Sequence, residues 1–396
     1  MLSNQPTLKE GAPVAPQEGA ISLLHLVNGH SANVGNGALT EGAESVLNED
    51  VQRPIVWSRE AWDDYTFGLK PFDRKFVALI NDRSDGMIVG GAVAINGREF
   101  YANAGMRFNL PRELWREIRR PLVFYGLSYR HWAGQTYHHI DKLRWTLEYI
   151  LGQKHMLLGL RNDGTREWLQ ASFGIASDRL HIVPDPGVFL PAEEGHYHEF
   201  EAGRRNVILA FNDEDWEQRY GSAERRTAVL KGISVAVERM LGKWDVNLIL
   251  VPHYFDDCRM LADFVDLCRP QLAHQRMIST GLARISGSRH FYGRYRQADL
   301  VISMRVHSMS PSIGLGVPMI PLVTQDRMTD FLGDIGLSDL MVDAFDPDLA
   351  DRLSAAIDRT LSSPDDVRRR FADARRQMRE RIKVFNGEVQ NLLCMQ

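Results

Sequence analysis

Residues 298–322 read ADLVISMRVHSMSPSIGLGVPMIPL, and the order of residue types in this stretch decides the fold. Asp299 to Ser303 is an apolar run of strand length, entered from the polar Arg294-Tyr-Arg-Gln. Ser308 to Leu315 is a small-residue segment suited to a helix with Pro311 in its first turn. Gly316 supplies the stop, Pro318 prevents continuation, and Met319 to Leu322 starts another apolar strand. Strand–turn–helix–strand is the unit of an open parallel sheet, which binds ligands at the carboxyl ends of its strands. Arg305 and His307 stand at that end, with Val306 and Ser308 beside them. Arginine offers a permanently charged fork to phosphate or carboxylate, the helix start offers free N–H groups, and imidazole exchanges protons near neutral pH. The competing reading of an isolated Arg-x-His is a local ion pair for Arg305 and a helix cap for His307.

The same grammar runs outward in both directions. Ile21–Val27 is a plausible first strand, running into a loop of small residues that holds Asn33 and Asn36. Asp85–Val93 is a strand ending in Gly90 and Gly91, and Leu110–Arg120 reads as a helix begun by Pro111. Pro121–Tyr125 is a third strand, delivering Tyr129, Arg130, His131 and Trp132, whose aromatic faces and polar tips suit a sugar as well as ordinary packing. Met156–Leu160 leads to Arg161, a second candidate anion contact, with a helix-start salt bridge to Asp163 or Glu167 as the competitor. Asp185, fixed between two prolines, is either a site residue or the cap of a turn. After a polar break at 192–204, a second series begins with Asn206–Phe211, a helix over Glu224–Leu241 and a strand at Val246–Val251 that presents His253 and Asp256. No nucleotide fingerprint, Walker lysine or HExxH set accompanies these residues, so neither a nucleotide motif nor a protein-built metal site is expected.

Two strand–helix series predict an α/β protein of two doubly wound Rossmann-like domains facing a cleft. The expected divisions are a disordered leader at 1–20, domains at 21–200 and 201–345, and a helical segment at 346–396. The 396 residues are more than one core usually organises, and the net charge of −4 argues against general nucleic-acid binding. No apolar run reaches membrane-span length, residues 1–20 lack a secretory h-region, and three cysteines show no disulfide or zinc spacing. A soluble protein of a reducing, cytoplasmic compartment fits. Pro364–Val384 is read as an amphipathic helix with a solvated basic face, and a membrane-surface role stays open beside that.

Strand, Arg-aliphatic-His, small-residue helix, Gly-x-Pro, strand and the closing DFLGDIGL resemble the C-terminal signature of the polysaccharide pyruvyl transferase family. Asn33-Val-Gly-Asn-Gly, Gly90-Gly91, Arg161-Asn-Asp-Gly-Thr and Pro184-Asp185-Pro186 are similar to further elements of it. Asn36 stands where the family usually carries Asp, and Arg327 lies near a frequent Lys. The resemblance implies an architecture of the GT-B glycosyltransferase type and no cofactor. It further implies transfer of a pyruvyl group from phosphoenolpyruvate to two hydroxyls of a sugar, in a polysaccharide or a lipid-linked precursor, at the inner membrane face or in the cytoplasm. In that scheme Arg305 holds phosphate, Arg161 the other end of the donor and His307 is the general acid. Asp185, His253 and His131 are the candidates for the hydroxyl base. A nucleotide-sugar glycosyltransferase and a catalytically silent sugar-binding relative remain the alternatives.

Overall fold

The computed structural model describes residues 19–30 and 33–394. Most of the leader at 1–20 lies outside the described residues. The first sheet has the order β2-β1-β3-β5-β6-β7, with β4 added beside β5, and every pairing is parallel. Its strands are β1 (Ile21–Val27), β2 (Ile55–Ala61), β3 (Gly86–Val89), β4 (Val93–Ile95), β5 (Leu122–Tyr129), β6 (Met156–Arg161) and β7 (Leu180–Val183). The second sheet runs β10-β9-β8-β11-β12-β13, also parallel. Its strands are β8 (Arg205–Ala210), β9 (Val246–Leu250), β10 (Met277–Ser279), β11 (Leu300–Ser303), β12 (Met319–Val323) and β13 (Val342–Asp343). The break at 192–204 falls between the two sheets.

The central strands read as unbroken apolar runs because helices cover both faces of each sheet; β5 and β6 are buried along their whole length. β2 has no counterpart in the sequence reading. It is a half-exposed edge strand whose Ser58-Arg59-Glu60 dilutes the apolar signal. The helix expected over Leu110–Arg120 shrinks to one 3-10 turn, Leu114–Glu117. The helix after β11 begins at Val306 and runs to Leu315, so Pro311 sits inside it rather than in its first turn. A proline there has no N–H to give the carbonyl of His307 four residues back.

Each sheet reverses strand order at one place, between β1 and β3 in the first and between β8 and β11 in the second. Such switch points open crevices at the carboxyl ends of the strands, and here the two crevices face each other. The Gly35–Asp50 helix follows β1 and the Val306–Leu315 helix follows β11, so two helix N-termini meet at this place.

One apolar core runs through both domains, joining Leu23, Val46 and Val183 to Val301, Met309 and Phe331. The 31-residue helix Pro364–Cys394 closes the chain by returning to the first domain. Its buried face carries Phe371, Met378, Ile382, Phe385 and Val389. Asn386 accepts from the hydroxyl of Tyr125 at 2.7 Å and donates to Asp50 and to the carbonyl of Val46. Much of the expected basic face is paired: Arg379 with Glu49 and Asp50, Arg381 with Asp334, and Arg370 with Asp339. Among the described residues no helix is long and apolar enough to cross a membrane.

Candidate functional site

The cleft between the switch points is lined from the first domain by Asn28, Asn33, Asn36, Asp63, Asn96, Arg98, Tyr101, Arg107 and Arg130. The second domain adds Asn212, Glu214, Asp215, Arg219, Tyr254, Arg305, Val306, His307 and Arg327. Six arginines therefore face three carboxylates, and two helix N-termini add partial positive charge. This is an environment for a multiply charged anion.

His307 is the one imidazole among the described lining residues. Its place depends on Gly35: a Cβ there would overlap the imidazole, so the start of the Gly35–Asp50 helix packs directly against the ring. Behind it stands Arg161, 1% exposed, with Nη1 3.5 Å from His307 Nε2. Arg161 Nε lies 3.6 Å from Oδ2 of the fully buried Asp185. Burial, reinforced by Arg161, Arg327 and Arg305, holds the His307 pKa well below the ordinary imidazole value of 6.5, so the ring is neutral.

Arg305 is 4% exposed and half committed. Its Nε donates to Asp257 at 2.9 Å and to the carbonyl of Phe211 at 3.0 Å, and its Nη2 donates to Asp257 at 2.5 Å. Nη1 remains on the cleft side, 3.7 Å from Glu214. The local carboxylate pair and the cleft position are thus both real. Burial would raise the Glu214 carboxyl, but Arg130, Arg305 and Arg219 outweigh it and hold it at about 2. Arg327 reaches from the second domain to the first, where Nη1 donates to the Ser128 hydroxyl at 2.7 Å and the Tyr129 carbonyl at 2.9 Å. Burial, with Arg130 and Arg161 nearby, pushes it down to about 10.

Several expected site residues lie elsewhere. Asp185 caps the Pro186–Phe189 turn by accepting from the Gly187 N–H, and no part of it reaches the cleft. Arg161 pairs neither with Asp163 nor with Glu167, and touches His307 instead of the cleft. His253 is fully buried against Tyr295, whose hydroxyl lies 3.1 Å from its Nε2, and Asp256 pairs with Arg259. Ser308 is equally buried on that hydroxyl, at 3.0 Å. Gly90 makes room for His25, and Gly91 for the backbone of Tyr125 and Gly126 beside Arg161, and neither is among the residues lining the cleft. Tyr129 stacks on Trp168 at 4.6 Å between centroids, and His131 also packs toward Trp168. Of that loop, Arg130 alone lines this cleft, its guanidinium held by Asp215 and by Glu214.

Sequence reasoning missed Arg98, Arg107, Arg219, Glu214 and Asp215. The last two follow the carboxyl end of β8 and were findable by the rule that located Arg305. Arg98 and Arg107 sit in a long irregular segment with no pattern to mark them. Among the described residues no cluster of three or more His, Cys, Asp or Glu is arranged to hold a metal ion.

The architecture recurs in solved structures. The UDP-GlcNAc 2-epimerase from Neisseria meningitidis, bound to UDP-GlcNAc, superposes with a TM-score of 0.52 at 9% identity, over 89% of this chain and 94% of that one. The spinosyn rhamnosyltransferase SpnG gives 0.49 at 12% identity, over 94% of this chain and 99% of its own. At these identities the likeness is one of fold alone, two parallel-sheet α/β domains shared with the epimerase. No curated protein sequence matches the chain. The family described as "Polysaccharide pyruvyl transferase" matches residues 33–326, from Asn33 in the cleft to the residue before Arg327. The chain belongs to the polysaccharide pyruvyl transferase family.

Proposed function

We propose that the protein transfers the pyruvyl group of phosphoenolpyruvate to two hydroxyls of a sugar, forming a cyclic ketal and releasing phosphate. The carrying observation is a neutral imidazole, His307, set among arginines from both domains where two helix N-termini meet. The donor carries a phosphate and a carboxylate, and Arg305, Arg327 and the Val306 helix start are placed to hold them. Arg161 takes a different role from the one expected of it: it orients His307 from behind.

Atoms balance in a simple way. The donor's C3 gains a proton and becomes a methyl group, while C2 accepts the first hydroxyl oxygen. The C2–phosphate bond then breaks and the second hydroxyl adds. Of the two hydroxyl protons, one offsets the proton gained at C3 and the other leaves with phosphate. His307 gives the proton to C3. It is neutral in the empty cleft, but an anion seated on Arg305 and Arg327 offsets their field, so donor binding loads it with a proton. With Asp185 and His253 walled off and His131 outside the cleft, Asp63 and Asp215 are the better candidates among the lining carboxylates for receiving hydroxyl protons, Glu214 being held at about 2.

Calorimetry with phosphoenolpyruvate and with UDP-GlcNAc tests the donor assignment. Saturable binding of phosphoenolpyruvate, weakened at least about tenfold in Arg327→Gln, is expected. Binding of the nucleotide sugar alone would replace this reading with that of a glycosyltransferase.

A further inference from the structure

The anion-binding cleft does not end at Arg130. A second recess opens from it, sharing Asn96, Arg98, Arg130 and Asp215, and continues along Trp132–Gln135 to Gln218. Its lining differs from that of the cleft: one indole, the amides of Gln135, Gln218 and Asn96, and a carboxylate between two guanidinium groups. Asp215 at the junction is one of two non-glycine residues among those described with a left-handed backbone, at φ 53°; the other is His139. Such conformations persist where surrounding structure requires them. Trp132 Nε1, Asn96 Oδ1 and Arg130 Nε are buried without a hydrogen-bond partner, whereas Gln218 is exposed.

A sugar ring has apolar C–H faces and a rim of paired hydroxyls. Its complement is an aromatic side chain with amides, a carboxylate and guanidinium forks arranged around it. We propose that the Trp132 recess is the subsite for the acceptor saccharide, with Trp132 packing on a ring face and Gln218 and Asp215 holding hydroxyls. This rests on the pyruvyl-transfer reading for the word acceptor, but binding of a saccharide here does not. The recess joins the cleft at Arg130 and Asp215, so a glycan lying in it presents its terminal hydroxyls toward the donor. Tyr129, the last residue of β5, and His131 pack toward Trp168 and do not line the recess.

Saturation-transfer NMR with methyl β-galactoside, methyl β-glucoside and methyl α-mannoside, with and without phosphoenolpyruvate, reads the subsite independently of turnover. Binding of at least one glycoside to the wild-type chain is expected. It should weaken about tenfold in Trp132→Ala and in Gln218→Ala, with phosphoenolpyruvate affinity unchanged. Gln218 is exposed, so its variant keeps the test valid if loss of Trp132, whose ring lies 5.3 Å from the Arg219 guanidinium, disturbs folding. Glycoside binding indifferent to both substitutions, or none at all to the wild type, overturns the proposal. Glycoside binding that depends on Trp132 without any phosphoenolpyruvate binding upholds the subsite and removes the donor instead.

Discussion

At the scale of the residue, His307 is governed by its neighbours more than by its own chemistry. Burial and the guanidinium groups of Arg161, Arg327 and Arg305 depress its pKa. A folded value below the unfolded one has a definite sign: the contribution to stability is whole above about 6.5 and is lost as pH falls toward the folded value, because the unfolded chain binds a proton that the folded site refuses. His307→Asn should therefore flatten the fall of Tm between about pH 7 and about pH 5. A residual slope is expected from His253, which burial and Arg305 also depress. The same field predicts coupled protonation. Calorimetry in buffers of different ionisation enthalpy should show phosphoenolpyruvate binding taking up about one proton more in wild type than in His307→Asn. Equal uptake would remove His307 as the proton carrier.

At the scale of the element, the site is held by close approaches that leave room for nothing larger than glycine. Gly35 abuts His307 and Gly42 abuts the carbonyl of Pro186. Gly35→Ala should cost about 1–3 kcal/mol by urea denaturation and lower turnover as well, because the imidazole must move. Wild-type turnover in a folded Gly35→Ala would break the link between this helix start and catalysis. Asp257 ties the β9 end to the β11 end, taking Arg305 on both carboxylate oxygens and the backbone N–H groups of His253 and Tyr254. Asp257→Ala leaves a buried guanidinium with half its partners gone and should destabilise by about 3–5 kcal/mol.

These elements also show what the chain discloses in one dimension. Arg305 and His307 were legible because strand, turn and helix follow one another there without interruption, whereas Asn33 and Asn36 were marked by a loop of small residues after a strand and by the family resemblance. Asp185, His253 and Ser308 lie beside the same strand ends yet point into the core, since position along the chain does not give side-chain direction. Gly90 and Gly91 announce a close approach truthfully, but what approaches is His25 in one case and main chain in the other.

At the scale of the molecule, the two domains are fastened across the cleft by Arg327 on Ser128, Arg130 on Glu214, and Asn162 on Asp334. The terminal helix adds the fastening that sequence periodicity could not assign to a partner. Asn386 sits fully buried between Tyr125, Val46 and Asp50. Asn386→Ala strands the Tyr125 hydroxyl and should cost about 1–3 kcal/mol in equilibrium unfolding. A neutral result would mean that the helix is held by its apolar face alone.

The most direct test of pyruvyl transfer is phosphate release from phosphoenolpyruvate in the presence of galactose-, glucose- and mannose-type acceptors, with mass spectrometry of the sugar. Phosphate release matched by a sugar bearing a pyruvate ketal, reduced about a hundred- to ten-thousand-fold in a folded His307→Ala, is the predicted result. Phosphate release without that ketal, or ketal formation undiminished in His307→Ala, would contradict it.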